Sequence, residues 1–318
     1  MDWMITGGIV AVLFVVWVLL ESKRSRSDGT PVKHHPYRQI MWFIMPRRDD
    51  GLVFFDRYIQ VEKLDAYLED INKRFECSMS TLLAAVVGRA LIQNPRMDRF
   101  VVGHRLYQRK QSSISFVMKR TRKDKSSKLA TIKQPISADD TIESVCRSVA
   151  EKISVERTDV KTYADKEYAL FNMLPRPVFR AAYWVFRVLD YYNLLPASFI
   201  DNDPLYTSIF MSFMGSVNMD AGYHHLFEHG TCPLFLMIGK NEDRVFVEDG
   251  QVVVKPCVHV RFTYDERIDD GMTAGDGIFA MAGALEEPYI QLGCVKDDGS
   301  DQYKFGDERP RHWKLTSE

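Results

Sequence analysis

The longest uninterrupted apolar run in the chain lies at its start. Residues 3–20, WMITGGIVAVLFVVWVLL, contain no charge. As a helix rising about 1.5 Å per residue they span roughly 27 Å, enough to cross the hydrocarbon core of a bilayer. Trp3 and Trp17 stand near the two ends, where indole rings favour the membrane interface. Only Asp2 precedes the run, whereas ESKRSRS follows it with Lys23, Arg24 and Arg26. This excess of Lys and Arg predicts a single-pass anchor with the bulk of the chain on the cytoplasmic side. A cleaved signal peptide would need a basic n-region and a small-residue cleavage site, and neither is clear here. A buried core helix is the remaining alternative.

Beyond the anchor the periodicity changes from segment to segment. Residues 21–37 are polar and hold Gly29 and Pro31, which predicts a juxtamembrane linker with its basic residues near anionic headgroups. His34 and His35 fall in this linker and are expected to be solvated. LVFFDRYIQV (52–61) suits a strand. Residues 62–75 place Leu64, Tyr67, Leu68 and Ile71 on one helical face. Ser80 is the expected cap of a buried helix, TLLAAVVGRALIQ, which Asn94-Pro95 stops. Residues 100–102 and 113–118 read as strands, and 141–155 as a helix. PRPVFRAAYWVFRVLDYYNLLP (175–196) predicts a longer helix. It could pack on the core, lie on the membrane surface or border an acyl pocket, with core packing the expectation. The last third is β-rich, with strands expected at 206–213, 233–238, 244–247, 251–254 and 258–264. A helix follows at 272–286, and 293–318 forms a polar tail, loose beyond Asp297. No internal repeat is visible.

Composition narrows the possible functions. The net charge is −1, so no global basic field points to nucleic acid. KRTRKDKSSK (119–128) is strongly basic; it is either a solvated loop or a contact for a phosphate-bearing cofactor or lipid. Cys77, Cys146, Cys232, Cys257 and Cys294 are scattered and form no CxxC pair. That argues for free thiols rather than disulfides or a zinc cluster, and no metal is assigned.

The informative stretch is VHVRFTYDERIDDGMTAGDGIFAMAGALEEP (258–288): a strand, an acidic Asp-Gly turn, then a helix. It resembles the signature of the catalytic domain of 2-oxoacid dehydrogenase acyltransferases, in the chloramphenicol acetyltransferase-like superfamily. That motif runs Asp-His-Arg-x-x-Asp-Gly before a helix closing in Leu-Glu-x-Pro. Here Asp265, Glu266, Arg267, Asp270 and Gly271 match it, with Leu285, Glu286 and Pro288 at the close. Residues 50–98 are similar to the opening strand and helices of that domain. TSIFMSFMGS (207–216) resembles its Ser-Asn-Leu-Gly strand, and CPLFLMIGK (232–240) the strand after it. The match covers roughly 38–292. It implies an α/β fold, a mixed sheet flanked by helices, usually trimeric with active sites between subunits. It also implies acyl transfer with CoA or acyl-CoA as cosubstrate and no bound cofactor. A histidine would take the proton of a thiol and a hydroxyl would stabilise the oxyanion. Arg267 and Asp270 would hold the site through salt bridges, and Gly271 would serve the turn. A core of a dehydrogenase complex is disfavoured, because 21–50 is too short for a lipoyl domain or a swinging linker.

The chain departs from this pattern at the decisive place, where Glu266 stands for the histidine. A thiol titrates near about 8.5, histidine near 6.5 and glutamate near 4.3. Uphill proton transfer therefore costs about 3 kcal/mol more with Glu266 than with a histidine, roughly a hundredfold in rate. Burial would recover part of that; a salt bridge with Arg267 or Arg261 is the alternative use of this carboxylate. Counting back from Gly215, the usual hydroxyl position falls on Phe210. Ser208, Phe210 and Ser212 share one strand face, and Ser212, nearer the glycine turn, is the better candidate. YHHLFEHG (223–230) competes for the base role with His224 and His225. A metal set of His224, Glu228 and His229 is the weaker use of that loop. His259 is given no role. Two functions follow: a membrane-tethered acyltransferase with an unknown acceptor, or an inactive acyltransferase-fold binding protein. A purely structural membrane scaffold is a third.

Overall fold

A computed structural model describes residues 2–120, 129–158 and 173–307. In chain order the elements are α1 (Asp2–Ser22), β1 (Gly29–Pro31), α2 (Pro36–Ile44), β2 (Leu52–Gln60), α3 (Glu62–Asn72), α4 (Met79–Gln93), β3 (Arg99–Val102), β4 (Arg105–Arg109), β5 (Ser112–Lys119), β6 (Leu129–Ile136), α5 (Ile142–Glu156), α6 (Arg176–Tyr191), α7 (Ala197–Asn202), β7 (Ile209–Phe213), β8 (Leu234–Glu248), β9 (Gln251–Asp265), α8 (Gly271–Glu286) and α9 (Pro288–Gln291). Most of the basic run at 119–128 and the last residues of the tail, 308–318, lie outside the described residues.

Six strands form one mixed sheet in the order β2-β9-β8-β7-β5-β6, with β7 parallel to both neighbours. Alternation along the strands separates two faces. Met211, Leu236, Ile238, Val260 and Phe262 join the main core with α3, α4, α5 and α8. Phe210, Phe235 and Met237 point the other way and meet Ala221, Leu226 and Cys232. Segment 218–230 thus lies over the second face. A smaller sheet, β1-β4-β3, completes the architecture. The four short strands expected after residue 233 merge pairwise into two 15-residue strands, β8 and β9. Asp249 and Gly250, both at positive φ (49° and 77°), join them in a two-residue turn that suits the strand twist.

α4 is buried continuously from Thr81 to Leu91, as its all-round apolar surface predicts. Its cap is Ser78 rather than Ser80. The Ser78 hydroxyl accepts from Thr81 N (3.3 Å), and the Thr81 hydroxyl accepts from Ser78 N (2.9 Å). This reciprocal pairing satisfies two amides at once, which Ser80, already inside the helix, is not placed to do. α8 packs against the 95–98 turn through Gly277, where a Cβ would collide with the Met97 thioether. Gly277→Ala is expected to cost about 1–3 kcal/mol, read as a lower midpoint in thermal unfolding. An unchanged midpoint would mean that the thioether swings aside freely.

Three expectations need correction. The segment at 21–37 is built into the domain rather than free. β1 pairs with β4, and Arg26 is buried between Asp28 (2.7 Å) and Asp190 (2.8 Å). Backbone pairing and a buried ion cluster hold it despite its polar composition. The tail is ordered as far as it is described. Phe305 is fully buried, Gly293 bridges Gln302, and the Asp301 carboxylate accepts from Val295 N (2.9 Å). α6 does not pack in the core, since none of its residues is buried. It touches the domain along one edge, where Phe186 meets Phe199 (4.7 Å) and His229 (5.2 Å).

α1 is long and apolar enough to cross a membrane: Ile5–Ser22 has a mean hydropathy of 2.2, and none of it is buried.

Candidate active site

The acidic turn follows directly from the end of β9. Asp265 is buried and its carboxylate accepts from Arg267 Nε (2.8 Å) and Nη2 (2.9 Å). Arg48 Nε, also buried, lies 3.7 Å from the same carboxylate. Burial alone would weaken the Arg267 guanidinium, but Asp265 keeps its pKa raised. Trp42 Nε1 donates to Arg267 O (3.0 Å). Between these two locked residues Glu266 is exposed, and its amide donates to Gly51 O (2.9 Å). The turn therefore presents one carboxylate outward from a rigid pedestal.

The ionic work expected of Asp270 falls instead on Asp269, which reasoning from sequence missed. Asp269 is buried and accepts from Arg96 (2.8 Å), Arg99 (2.8 Å) and Arg38 (3.2 Å). Asp270 caps α8 by accepting from Thr273 N (3.0 Å), and this bond holds its carboxyl below the usual range. Three arginines distant in sequence left no local signal for their shared partner. Gly271 has open space where a Cβ would stand, so a side chain there would meet nothing. Gly215 is different: a Cβ would come within 2.6 Å of Gly239 O, so only glycine fits the turn against β8.

Ser208 and Ser212 separate clearly. Ser208 is buried, and its hydroxyl accepts from Ser113 N (2.9 Å) as part of the sheet. Ser212 is half-buried, and among the described residues its hydroxyl makes only a long contact to Met214 Sδ (3.7 Å), which leaves it available there. Phe210 is buried beside Phe227 (5.7 Å) and Phe235 (5.4 Å).

The histidine loop rests on the same sheet face. The His224 ring stacks on Phe235 at 3.8 Å, and its carbonyl accepts from Thr263 Oγ1 (2.6 Å). Burial holds the His224 pKa below its ordinary value. His225 is exposed, 4.0 Å from Asp49 Oδ1. In both residues Nδ1 faces a backbone carbonyl, His225 O at 2.5 Å and Leu226 O at 2.9 Å. A carbonyl only accepts, so Nδ1 is the donor and, in the neutral ring, the lone pair lies on Nε2, the form a general base needs. His224, Glu228 and His229 do not converge as metal ligands. The Glu228 carboxylate accepts from Arg48 N (2.6 Å), and His229 Nε2 pairs with Asp203 Oδ2 (2.6 Å). Among the described residues no cluster of three or more His, Cys, Asp or Glu side chains could hold a metal ion.

The structure adds a polar cluster on this face that sequence reasoning left without a role. His259 Nε2 lies 3.3 Å from Asp56 Oδ1, and Arg261 Nη2 donates to Asp56 Oδ2 (3.1 Å). Arg261 also donates to Ala221 O (2.8 Å) and lies over Tyr223. The Arg261 hydrogen bond is the main reason Asp56 is held below the usual carboxylate range. Its signal was present in β9, where His259, Arg261 and Thr263 alternate with apolar residues. Ser212 pairs with Met237, and Met237 with Arg261. Ser212 is thus in register with this cluster, whereas Glu266 lies five residues further, roughly 16 Å along the strand direction.

Two openings border the region. A groove of about 460 Å³ runs past the Gly215 turn, lined by Phe213, Asn218, Lys240 and the Ser78–Ser80 start of α4. A smaller cavity of about 130 Å³ lies between α6 and the histidine loop, lined by Arg48, His104, Arg187, Tyr191, Glu228 and His229.

No protein-family model matches the chain. A dihydrolipoyllysine-residue succinyltransferase component of the 2-oxoglutarate dehydrogenase complex from Cupriavidus necator is 45% identical over 53 residues. That match spans 17% of this chain and 13% of the relative's length. Three solved structures are similar over nearly the whole domain. A probable dihydrolipoamide acetyltransferase from Listeria monocytogenes has a TM-score of 0.53 at 14% identity, covering 81% of this chain and 94% of its own. The cubic core of a pyruvate dehydrogenase multienzyme complex has 0.52 at 13%, covering 82% and 94%. The dihydrolipoamide acetyltransferase of Azotobacter vinelandii, studied for the roles of a serine, a histidine and an asparagine in its catalytic mechanism, has 0.51 at 12%, covering 82% and 94%. The chain therefore carries the chloramphenicol acetyltransferase-like fold, in the form it takes in dihydrolipoamide acetyltransferase cores.

Proposed function

We propose that this protein is a membrane-tethered acyltransferase that moves an acyl group between CoA, or another thiol carrier, and an acceptor. In this reading α1 spans the bilayer, the domain lies on the cytoplasmic side, and three copies assemble with sites between them. The observation that carries it is the placement of the Ser212 hydroxyl and the His224–His225 loop on one sheet face. His224 lies over the row of Phe210 and Phe235, one step of two residues from the row of Ser212. His225, or His224, takes the proton of the attacking thiol at Nε2; the thiolate attacks the donor's acyl carbonyl while Ser212 donates to the oxyanion; the intermediate then collapses by breaking the bond to the donor's leaving group, which takes the proton back from the imidazolium. Burial weakens His224 as a base, and His225 is the exposed ring of the two. Glu266, offset within one chain, reaches this chemistry only from a neighbouring subunit.

The test uses the full chain in detergent, because a fragment starting near residue 30 loses the buried Arg26. Acyl-CoA of several chain lengths is supplied with dihydrolipoamide as a thiol acceptor, and the CoA released is followed by chromatography. Ser212→Ala is expected to slow release by about 10²–10³-fold, and His225→Ala by about 10²–10⁴-fold. Glu266→Gln reports whether the outward carboxylate takes part. A second reading, an inactive binding protein, is favoured by Phe210 in the usual hydroxyl position and Glu266 in place of histidine. Binding of acyl-CoA with no release at any length would establish that reading, and no binding at all would leave a structural scaffold.

A further inference from the structure

We infer that α6 and α2 lie in the membrane surface beside α1, forming a footprint that fixes the domain's orientation on an anionic lipid interface. The footprint begins at the exit of α1. Arg105 Nη2 donates to Glu21 O (2.5 Å) and pairs with Glu21 Oε2 (3.0 Å). Asn193 Nδ2 donates to Lys23 O (3.0 Å), and Arg26 holds Asp190 near the end of α6. The chain leaving the apolar helix is thus clamped to the C-terminal end of α6, so whatever surface α1 enters also meets α6.

The exposed chemistry of α6 suits that surface. Val178, Ala181, Val185 and Val188 fall on one stripe at 3.6 residues per turn, and Val178 and Val185 are about half exposed. Arg176, Arg180 and Arg187 fall within about 40° of one another on a different side. Trp184, 66% exposed, stands between the apolar and basic stripes. An apolar stripe with arginines along its edge and an indole at the boundary is the pattern of an interfacial helix. α2 adds a second exposed apolar face. Tyr37, Ile40 and Ile44 share a face and are each more than half exposed. The two helices are joined, because Phe43 of α2 stacks on His104 (4.4 Å), and His104 Nδ1 lies 3.0 Å from the Tyr191 hydroxyl of α6. Both exposed faces are therefore continuous with the exit of the spanning helix. Lys23 and Arg24 at that exit add to the positive charge that anionic headgroups attract.

The inference rests on reading α1 as a span, and the experiment separates the two. The full chain is reconstituted into nanodiscs of phosphatidylcholine and phosphatidylglycerol. Single nitroxide labels are placed through Val12→Cys in α1, Ile40→Cys in α2, Trp184→Cys in α6 and Lys73→Cys at the end of α3. The five native cysteines are all buried, so labelling is directed to the new sites. Oxygen, which concentrates in lipid, and a water-soluble nickel chelate are compared as relaxants. The expected result is lipid-type accessibility at positions 12, 40 and 184, with the opposite ordering at 73. Removing phosphatidylglycerol, or changing Arg176, Arg180 and Arg187 together to Gln, is expected to shift position 184 toward the aqueous pattern. Lipid-type behaviour at 12 with aqueous behaviour at 40 and 184 overturns the footprint and leaves the anchor intact. Shielding of 40 and 184 from both relaxants overturns it in favour of a second copy of the chain. Aqueous behaviour at 12 overturns the anchor itself and the footprint with it.

Discussion

Asp265→Ala is expected to destabilise the domain by about 3–5 kcal/mol, the range for removing one partner of a buried ion pair. The carboxylate is 1% exposed and faces two arginines that are themselves about 5% exposed. Burial already pulls the Arg48 pKa down, and Asp265 is the largest influence opposing it. Without Asp265 two buried guanidinium groups would face each other. Arg48 Nε, which has no hydrogen-bond partner among the described residues, would have no anion within 4 Å. For a domain of this size each kcal/mol moves the unfolding midpoint by roughly 2–4 °C, so the loss is on the order of 10 °C. Thermal unfolding of the full chain in detergent reads it directly. A shift below about 2 °C would mean that water reaches the pair, contrary to its packing.

The second large effect is expected at Asp98. Its carboxylate accepts from Arg109 Nε (3.0 Å) and the Ser112 hydroxyl (2.6 Å), and both charged side chains are 2% exposed. Arg109 also donates to Thr231 O (2.9 Å) and lies over the Phe100 ring. Asp98→Ala leaves this cation buried and unpaired, again costing about 3–5 kcal/mol. The double change Asp98→Leu with Arg109→Met should recover most of the loss, because it removes both desolvated charges together. If the double variant is as unstable as the single one, the pair is contributing attraction rather than only cancelling its own burial. Acidity adds a check. Burial raises the Asp98 pKa against the opposing effect of Arg109, so the folded state holds this proton more tightly than the unfolded state. Its contribution favours folding at low pH and declines as pH rises through the raised value. Asp98→Asn should remove that trend from the difference between variant and wild type.

Much of the fold was legible because the signals are local. The apolar run of α1, the all-round apolar α4, and the strand-turn-helix around 258–286 each depend on neighbours within a few residues. The resemblance added their order, and order placed them in a mixed sheet. The site was legible only in part. Ser212 and Ser208 share a face by strand alternation, and nothing local distinguishes a free hydroxyl from one accepting Ser113 N. Asp269 and Asp270 are adjacent and identical, yet one gathers three arginines while the other caps a helix.

What the sequence by itself determined about this protein is its periodicities, its single long apolar segment and the residue types at the acidic turn. Tertiary structure alone decided which carboxylates are desolvated, that Lys23 and Arg26 are tied to Asn193 and Asp190 at the end of α6, and that α6 faces outward instead of entering the core. The reason is physical. Hydrophobic pattern and caps act over one or two turns of chain. Burial and charge pairing depend on groups that the fold brings together from positions as distant as Arg26 and Asp190.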